Sequence, residues 1–183
     1  MKLLEKIRAA KAGKSFGARL AITLVELTLV LALAAIVVFV AVRAYSNAQE
    51  NSRVQQAAST VGQIRSVVES LAQGQASYAF LGADTAAATG AISASLPSSF
   101  VSGGNLVQPF GTIDIAQTGS DYTVTLNSLP ADACQRLAVM DMGRSVSAVK
   151  AGSTAIDLTS ATAAATAATA CAAGGVAVAW TFQ

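Results

Sequence analysis

An apolar run of 21 residues, from Ile22 to Val42, is the strongest hydrophobic pattern in the chain. An α-helix rises about 1.5 Å per residue, so a run of this length covers the ~30 Å hydrocarbon core of a membrane. One charged residue, Glu26, lies near its beginning, and Arg43 follows its end. The run therefore predicts a transmembrane helix with a carboxylate inside it, and a charge there costs about 3 kcal/mol.

Beyond Arg43 the pattern changes from apolar on all sides to amphipathic. Apolar residues recur at three- and four-residue steps through Val54, Ala58, Val61, Ile64, Val68 and Leu71. No proline interrupts residues 22–73, and Gly62 is the only glycine among them. These observations predict one continuous helix of ~50 residues, or ~75–80 Å. Its transmembrane half is residues 22–43, and its amphipathic half is residues 44–73.

The remaining residues, 74–183, predict a globular head that contains β-strands. Residues 74–110 are small, polar and turn-rich, which predicts a surface loop with one short helix. In "GTIDIAQTGSDYTVTLNS" the apolar residues alternate on both sides of a turn at 118–121, which predicts a β-hairpin. The segments "RSVSAVK" and "GVAVAWTF" predict two more strands, so four strands are expected in total.

Two segments of the head carry helical signals. Pro130, with Asp132 in the first turn, predicts a helix that extends to about Met142. Residues 160–173 consist mainly of alanine and threonine, whose helix preferences differ, so this segment is either a short helix or a surface loop. Together the elements predict an α+β roll, in which the long N-terminal α-helix packs on an antiparallel β-sheet.

Charge is distributed unevenly along the chain. Of the 183 residues, 53% are hydrophobic and 12% are charged, and the formal net charge is +2. Residues 1–21 contain six basic residues against Glu5, a net charge of +5, whereas residues 22–183 carry six basic and nine acidic residues, a net charge of −3. The basic character therefore belongs to the N-terminal segment, and no nucleic-acid binding is implied.

Two ordinary interpretations explain a basic segment followed by an apolar run. A secretory signal peptide has this order, and an A-x-A cleavage pattern occurs at residues 32–34. The apolar run is too long for a signal peptide, whereas a plain membrane anchor with its positive flank in the cytoplasm accounts for the length. Neither interpretation gives a reason for Glu26.

The segment "ITLVELTLVLALAAIVV" resembles the N-terminus of type IV pilins and pseudopilins, in which a glutamate occupies the fifth mature position. The resemblance implies that residues 1–21 are a prepilin leader, that a prepilin peptidase cleaves between Ala21 and Ile22, and that the new amine of Ile22 is methylated. It also implies that Glu26 meets the N-terminal amine of a neighbouring subunit, since a buried charge is tolerated only when paired. The family usually has glycine before the cleavage site, and Ala21 departs from that pattern.

Further features are similar to type IVb pilins, the group that includes the subunits of bundle-forming, toxin-coregulated and conjugative thin pili. The leader is long, and the first mature residue would be Ile22 rather than phenylalanine. The segment "LNSLPADACQRLAVM" resembles the strand and helix that carry the first cysteine of these pilins. In this family the cysteine pair bounds a variable surface, here residues 134–171. Export to the periplasm favours a disulfide between Cys134 and Cys171, and the alternative is two unpaired cysteines.

The sequence gives little support for catalysis, a metal or a cofactor. It contains no histidine, which removes the commonest general base, and its two cysteines alone cannot complete a tetrahedral zinc site. The carboxylates of the head are scattered without a revealing spacing, and no phosphate-binding or dinucleotide-binding glycine pattern is present. We therefore expect a structural protein that is not an enzyme and has no cofactor.

The resemblance implies a structural subunit of a type IVb pilus. Such a subunit is anchored by a single span in the inner membrane, is cleaved by prepilin peptidase, and is polymerised by an inner-membrane assembly platform. The product would be an extracellular homopolymer of identical subunits, used in adhesion, aggregation or conjugative contact. The alternatives are a minor pilin, a pseudopilin of type II secretion, or a monomeric membrane-anchored periplasmic domain.

Overall fold

The computed structural model describes residues 24–82 and 84–183. Its first element is α1, a single helix of 49 residues at Leu24–Ala72, which confirms the predicted long helix. The predicted leader and the first two residues of the predicted mature chain lie outside the described residues. The chain divides into two compact units, Met1–Asn47 and Ala48–Gln183.

The described part of the first unit is the apolar portion of α1. Every side chain from Leu24 to Asn47 is exposed, including the large apolar ones. This portion makes α1 long enough and apolar enough to cross a membrane, judged by length and composition. Near its end the guanidinium of Arg43 lies 4.7 Å from the centre of the Phe39 ring, a cation–π contact one helical turn apart.

The second unit is built on one antiparallel sheet of seven strands, in the order β1-β2-β3-β4-β7-β5-β6. The strands are β1 Val101–Ser102, β2 Asn105–Gln108, β3 Gly111–Thr118, β4 Asp121–Leu129, β5 Val146–Ala151, β6 Thr154–Ile156 and β7 Val176–Phe182. The four predicted strands are β3, β4, β5 and β7, and three short strands were not predicted. The last strand, β7, lies between β4 and β5, so it is hydrogen-bonded on both edges.

One face of the sheet forms the core against the amphipathic part of α1. The helix buries Val54, Ala57, Thr60, Val61, Ile64 and Val68, close to the predicted stripe. The two other predicted stripe residues, Ala58 and Leu71, are half-buried against the core. The sheet contributes large side chains at alternate positions of the central strands, of which Tyr122, Trp180 and Phe182 are the largest. This packing confirms the α+β fold.

The segment between α1 and the hairpin is more ordered than a loop with one short helix. The helix exists as α2, Thr85–Ser93, and Asp84 caps it because its Oδ1 accepts a hydrogen bond from the Ala87 backbone N–H at 2.8 Å. Short 3₁₀ turns occur at Ala79–Leu81 and Ser98–Phe100, followed by β1 and β2. The strands escape prediction because they are very short, and they are stabilised by pairing: β1 pairs with β2, and β2 pairs with β3.

Two helices complete the head. The helix after Pro130 is α3, Ala131–Ala138, which ends four residues earlier than predicted. After the helix, the chain turns where Asp141 accepts a hydrogen bond from the Gly143 backbone N–H. Gly143 takes a left-handed φ of 100° in this turn. The ambiguous alanine- and threonine-rich segment contains α4, Ala163–Cys171, within which Thr166 and Thr169 donate hydrogen bonds to carbonyls one turn earlier.

Candidate functional site

The predicted processing and assembly residues lie at the beginning of the chain. Ala21 and Ile22 are outside the described residues, so the predicted cleavage site is not part of this structure. Glu26 lies in the first turn of α1 and is exposed. Two residues further on, the Thr28 hydroxyl donates a hydrogen bond to the Val25 carbonyl at 2.9 Å. The helix therefore satisfies this hydroxyl internally, as is common for threonine in apolar helices.

Cys134 and Cys171 form a disulfide, as the oxidising compartment predicted. The bond joins α3 to the last residue of α4 across 37 positions of sequence, with the two Cα atoms 5.7 Å apart. Both cysteines are fully buried. The disulfide therefore connects the two helices inside the core of the head, and residues 134–171 form one closed loop.

Arg65 connects α1 to the head, and the sequence did not predict this connection. It donates from Nη1 to the carbonyl of Met142 at 2.7 Å and from Nε to Glu69 Oε1 at 2.6 Å. Its guanidinium also lies 5.7 Å from the centre of the Phe182 ring on β7. The sequence gives only a weak signal for these contacts, namely that Arg65 lies beside the apolar stripe of α1.

A second arginine, on α3, makes a similar connection to an earlier part of α1. Arg136 on α3 donates from its guanidinium to the side-chain oxygen of Asn51. Both side chains are exposed, so water screens this contact more than that of Arg65 with Met142. The two arginines together bind the amphipathic part of α1 to α3 and to the segment that follows α3.

Burial has a clear effect on one titratable group of the head. Tyr122 is fully buried on β4, between Tyr78 at 4.7 Å and Phe182 at 5.1 Å between ring centres. Desolvation, with a smaller contribution from Glu69, raises the pKa of Tyr122 well above its usual range. Its hydroxyl has no hydrogen-bond partner among the described residues. This tyrosine is a core residue and not a surface acid or base.

The described residues 24–82 and 84–183 contain no group of three or more histidine, cysteine, aspartate or glutamate side chains that could hold a metal ion. A cleft of about 470 Å³ lies in the head, between the helix positions Gln56 and Thr60 and the segment around Phe100 and Gln108. It is open and has no charged side chain in its lining.

Comparison with known proteins identifies the family. No curated protein matches the chain. The family model described as Bundlin matches residues 46–183, which cover the amphipathic part of α1 and the whole head. Bundlin is a structural family of type IV pilins that form bundle-forming pili, which is consistent with the type IVb features of the sequence. The family self-associates into a pilus filament. The match covers more than half of the chain, so the protein belongs to the Bundlin family of type IV pilins.

Proposed function

We propose that this chain is the major subunit of a type IVb pilus and has no enzymatic activity. A prepilin peptidase removes residues 1–21 and methylates the amine of Ile22. The mature subunit is held in the inner membrane by a single span until the assembly platform adds it to the filament. The assembled surface filament then serves adhesion, aggregation or conjugative contact.

The exposure of the apolar part of α1 carries this proposal. From Leu24 to Tyr45 the large apolar side chains of the single chain are exposed, most of them by more than half. Such a surface is stable only when it is covered, because exposed apolar area costs roughly 25 cal/mol per Å². Lipid can cover it before assembly, and the same helices of other subunits can cover it afterwards.

Glu26 has a specific role in this proposal. Once the leader is removed, the amine of Ile22 and the carboxylate of Glu26 carry opposite charges four residues apart in an apolar helix. In the filament the carboxylate of one subunit pairs with the amine of the next, which sets the axial register. Without the carboxylate, the buried amine would lack a partner at a cost of about 3–5 kcal/mol per subunit.

The test is a pair of substitutions in the apolar run. Glu26→Ala should abolish surface filaments while membrane insertion and the fold of the head stay intact, since removal of a charge makes insertion easier by up to ~3 kcal/mol. Thr28→Ala is the matched control, because it also removes a polar group but leaves the carboxylate, and its filament yield should be normal. Filaments are sheared from cells and quantified. Normal yield from Glu26→Ala would show that the carboxylate has no assembly role.

Cleavage is tested on the same material. N-terminal sequencing of filament or membrane subunits should give Ile22 as the first residue, with a methylated amine. A start within residues 35–36 would mean that an ordinary signal peptidase recognises the A-x-A pattern, and the pilus-subunit proposal would then fail. Abundance decides between a major and a minor subunit, because a major pilin dominates the sheared filaments.

A further inference from the structure

The second face of the sheet, opposite the core, carries rows of residues that the strand register aligns. The strand register aligns Asp114 with Thr125, Thr125 with Ala179, and Ala179 with Lys150. Directly opposed residues of an antiparallel sheet point to the same side. These four residues therefore form one row across β3, β4, β7 and β5. We call the surface that contains this row the outer sheet face.

Small side chains make the outer sheet face flat. The next row aligns Ala116 with Thr123, Thr123 with Thr181, and Thr181 with Ala148. The hydroxyls of Thr123 and Thr181 are hydrogen-bonded to each other at 3.0 Å. None of the side chains in the two rows is buried, and Ala116, Ala148 and Lys150 are exposed. The face is therefore open in the single chain.

The row carries one charge of each sign at its two ends. Asp114 is held in place because its Oδ2 accepts a hydrogen bond from Asn127 Nδ2 at 2.7 Å, which leaves Oδ1 available. Lys150 is exposed and forms no hydrogen bond or ion pair with the described residues. Three inter-strand spacings of about 4.8 Å separate the two residues by roughly 14 Å. They are too far apart to pair within one chain.

We propose that the outer sheet face binds the same face of a second copy of this chain in an adjacent filament, an inference that rests on the pilus-subunit function proposed above. A two-fold axis parallel to the strands, between β4 and β7, places Asp114 of each copy opposite Lys150 of the other. The same operation places Thr125 against Ala179. Small side chains on both sides let the two sheets approach closely.

The charge pattern favours a second copy over an unrelated partner. An isologous contact must be complementary to itself, and a row with one acid and one base at opposite ends meets this condition. Asp121, at the end of β4, also points to this side, and the two-fold operation places it beside the end of β7 rather than opposite a charge. Within the row itself, no like charges are brought together.

The small area of the outer sheet face favours a repeated contact between neighbouring filaments over a stable dimer. Four strands of about five residues cover roughly 300 Å² per copy, well below the ~800 Å² per partner of a stable dimer. A two-fold contact also closes on itself, so it cannot propagate along a helical filament. Two filaments side by side repeat the contact many times, and multivalency then makes weak single contacts effective.

Zero-length cross-linking tests the contact directly. Lys150 is the only lysine in residues 22–183, so a carbodiimide can join a lysine side chain to a carboxylate at one site per mature subunit. In bundled filaments we expect a covalent dimer on a denaturing gel, with an isopeptide bond between Lys150 and Asp114 identified by mass spectrometry. Dispersal of the bundles into single filaments before the reaction should reduce the dimer at least about ten-fold.

Substitutions of Lys150 and Asp114 distinguish their charge interaction from the cross-linking reaction. Lys150→Arg keeps the positive charge but cannot form the isopeptide, so bundling should persist while this dimer is lost. Asp114→Lys or Lys150→Asp places like charges opposite each other, and the fraction of filaments in bundles should fall about five-fold or more. The double variant Asp114→Lys with Lys150→Asp should restore both bundling and the cross-link.

Several outcomes would overturn this inference. Bundled filaments without the cross-link between Lys150 and Asp114, or with Lys150 joined to a different carboxylate, would show that another surface makes the contact. Normal bundling in the single charge reversals would show the same. Electron microscopy of the wild type tests the pilus-subunit function itself. A complete absence of filaments would refute that function and, with it, the lateral contact.

Discussion

Arg65 Nη1 donates a hydrogen bond of 2.7 Å to the backbone carbonyl of Met142, a residue 77 positions later in the chain. The contact joins the C-terminal part of α1 to the segment that leads from α3 into β5. Gly143 lies against the same guanidinium, since a Cβ at this position would be 2.8 Å from Nη1. One side chain therefore fixes the position of this connecting segment on the helix.

Substitution of Arg65 should destabilise the head more than substitution of its ion-pair partner. We expect Arg65→Ala to lower the free energy of unfolding by about 1.5–3 kcal/mol, because a hydrogen bond from a charged group and the contact with Phe182 are lost. Glu69→Ala is the control, since its exposed ion pair at i,i+4 contributes only about 0.3–0.5 kcal/mol. Urea unfolding of the detergent-solubilised chain measures both, and equal losses would contradict the role given to the Met142 contact.

The buried hydroxyl of Tyr122 should be dispensable for folding. Because it has no hydrogen-bond partner among the described residues, Tyr122→Phe removes a desolvation cost, and the free energy of unfolding should stay unchanged or rise by about 1 kcal/mol. Thermal unfolding at neutral pH measures this change. A loss of more than about 1 kcal/mol would indicate that the hydroxyl does have a partner.

The raised pKa of Tyr122 predicts a specific loss of stability in alkali. Below its unfolded pKa, near 10, the tyrosine is neutral in both states and its contribution is constant. Above pH 10 the unfolded chain ionises first, so the folded state loses stability as the pH rises toward the higher folded pKa. Tyr122→Phe should shift the alkaline unfolding midpoint upward relative to wild type. An unchanged midpoint would assign alkaline unfolding to other groups.

Removal of the disulfide should strongly destabilise the head. In the chain-entropy model, the loop closed by Cys134 and Cys171 stabilises the folded state by about 4 kcal/mol. Cys134→Ser should therefore lower the amount of subunit in cells through misfolding and proteolysis, as measured by immunoblotting against a wild-type control. Thiol labelling of unreduced, unfolded wild-type protein provides the direct check. Two labelled cysteines per chain would contradict the bond.

Gly111 should tolerate no side chain, although its backbone conformation is ordinary. A Cβ there would lie 2.9 Å from the carbonyl oxygen of Asn127 on the neighbouring strand. We expect Gly111→Ala to lower the free energy of unfolding by about 1–3 kcal/mol, because backbone must move to make room.

Gly90→Ala is the matched control for Gly111→Ala. Gly90 lies within α2, where a Cβ meets nothing within 4 Å, and alanine is the better helix former. The control should raise the free energy of unfolding by about 0.5–1 kcal/mol in the same urea titration. Similar effects of the two substitutions would show that the close approach of β3 and β4 is relaxed in solution.

The sequence predicted the elements whose signal is long or repeated. The three- and four-residue spacing between Val54 and Leu71 predicted the long helix, and two-residue alternation predicted β3 and β4. The segments "RSVSAVK" and "GVAVAWTF" predicted β5 and β7. The short strands β1, β2 and β6 have two to four residues each, so they carry too few positions for a periodic signal. Their pairing with neighbouring strands creates them, and local sequence cannot report that pairing.

The candidate functional residues and the contacts within the head differ in the same way. Glu26 is visible because a carboxylate in an apolar run is rare, and the disulfide is visible because two cysteines allow a single pairing. The contacts of Arg65 with Met142 and of Arg136 with Asn51 connect residues 77 and 85 positions apart. Only the folded topology brings these residues together. The row across the outer sheet face likewise depends on the registers of three strand pairs.

The central place of β7 has a consequence for how the head is made. This strand follows all the others along the chain, yet it is inserted between β4 and β5. Until it arrives, β1 to β4 and β5 to β6 are two separate hairpin systems with unpaired inner edges. A chain that emerges from a ribosome or a translocon in N-to-C order therefore cannot close its sheet early. We therefore expect that only chains synthesised through β7 complete the sheet, and that prematurely terminated subunits stay unfolded and are degraded by proteases.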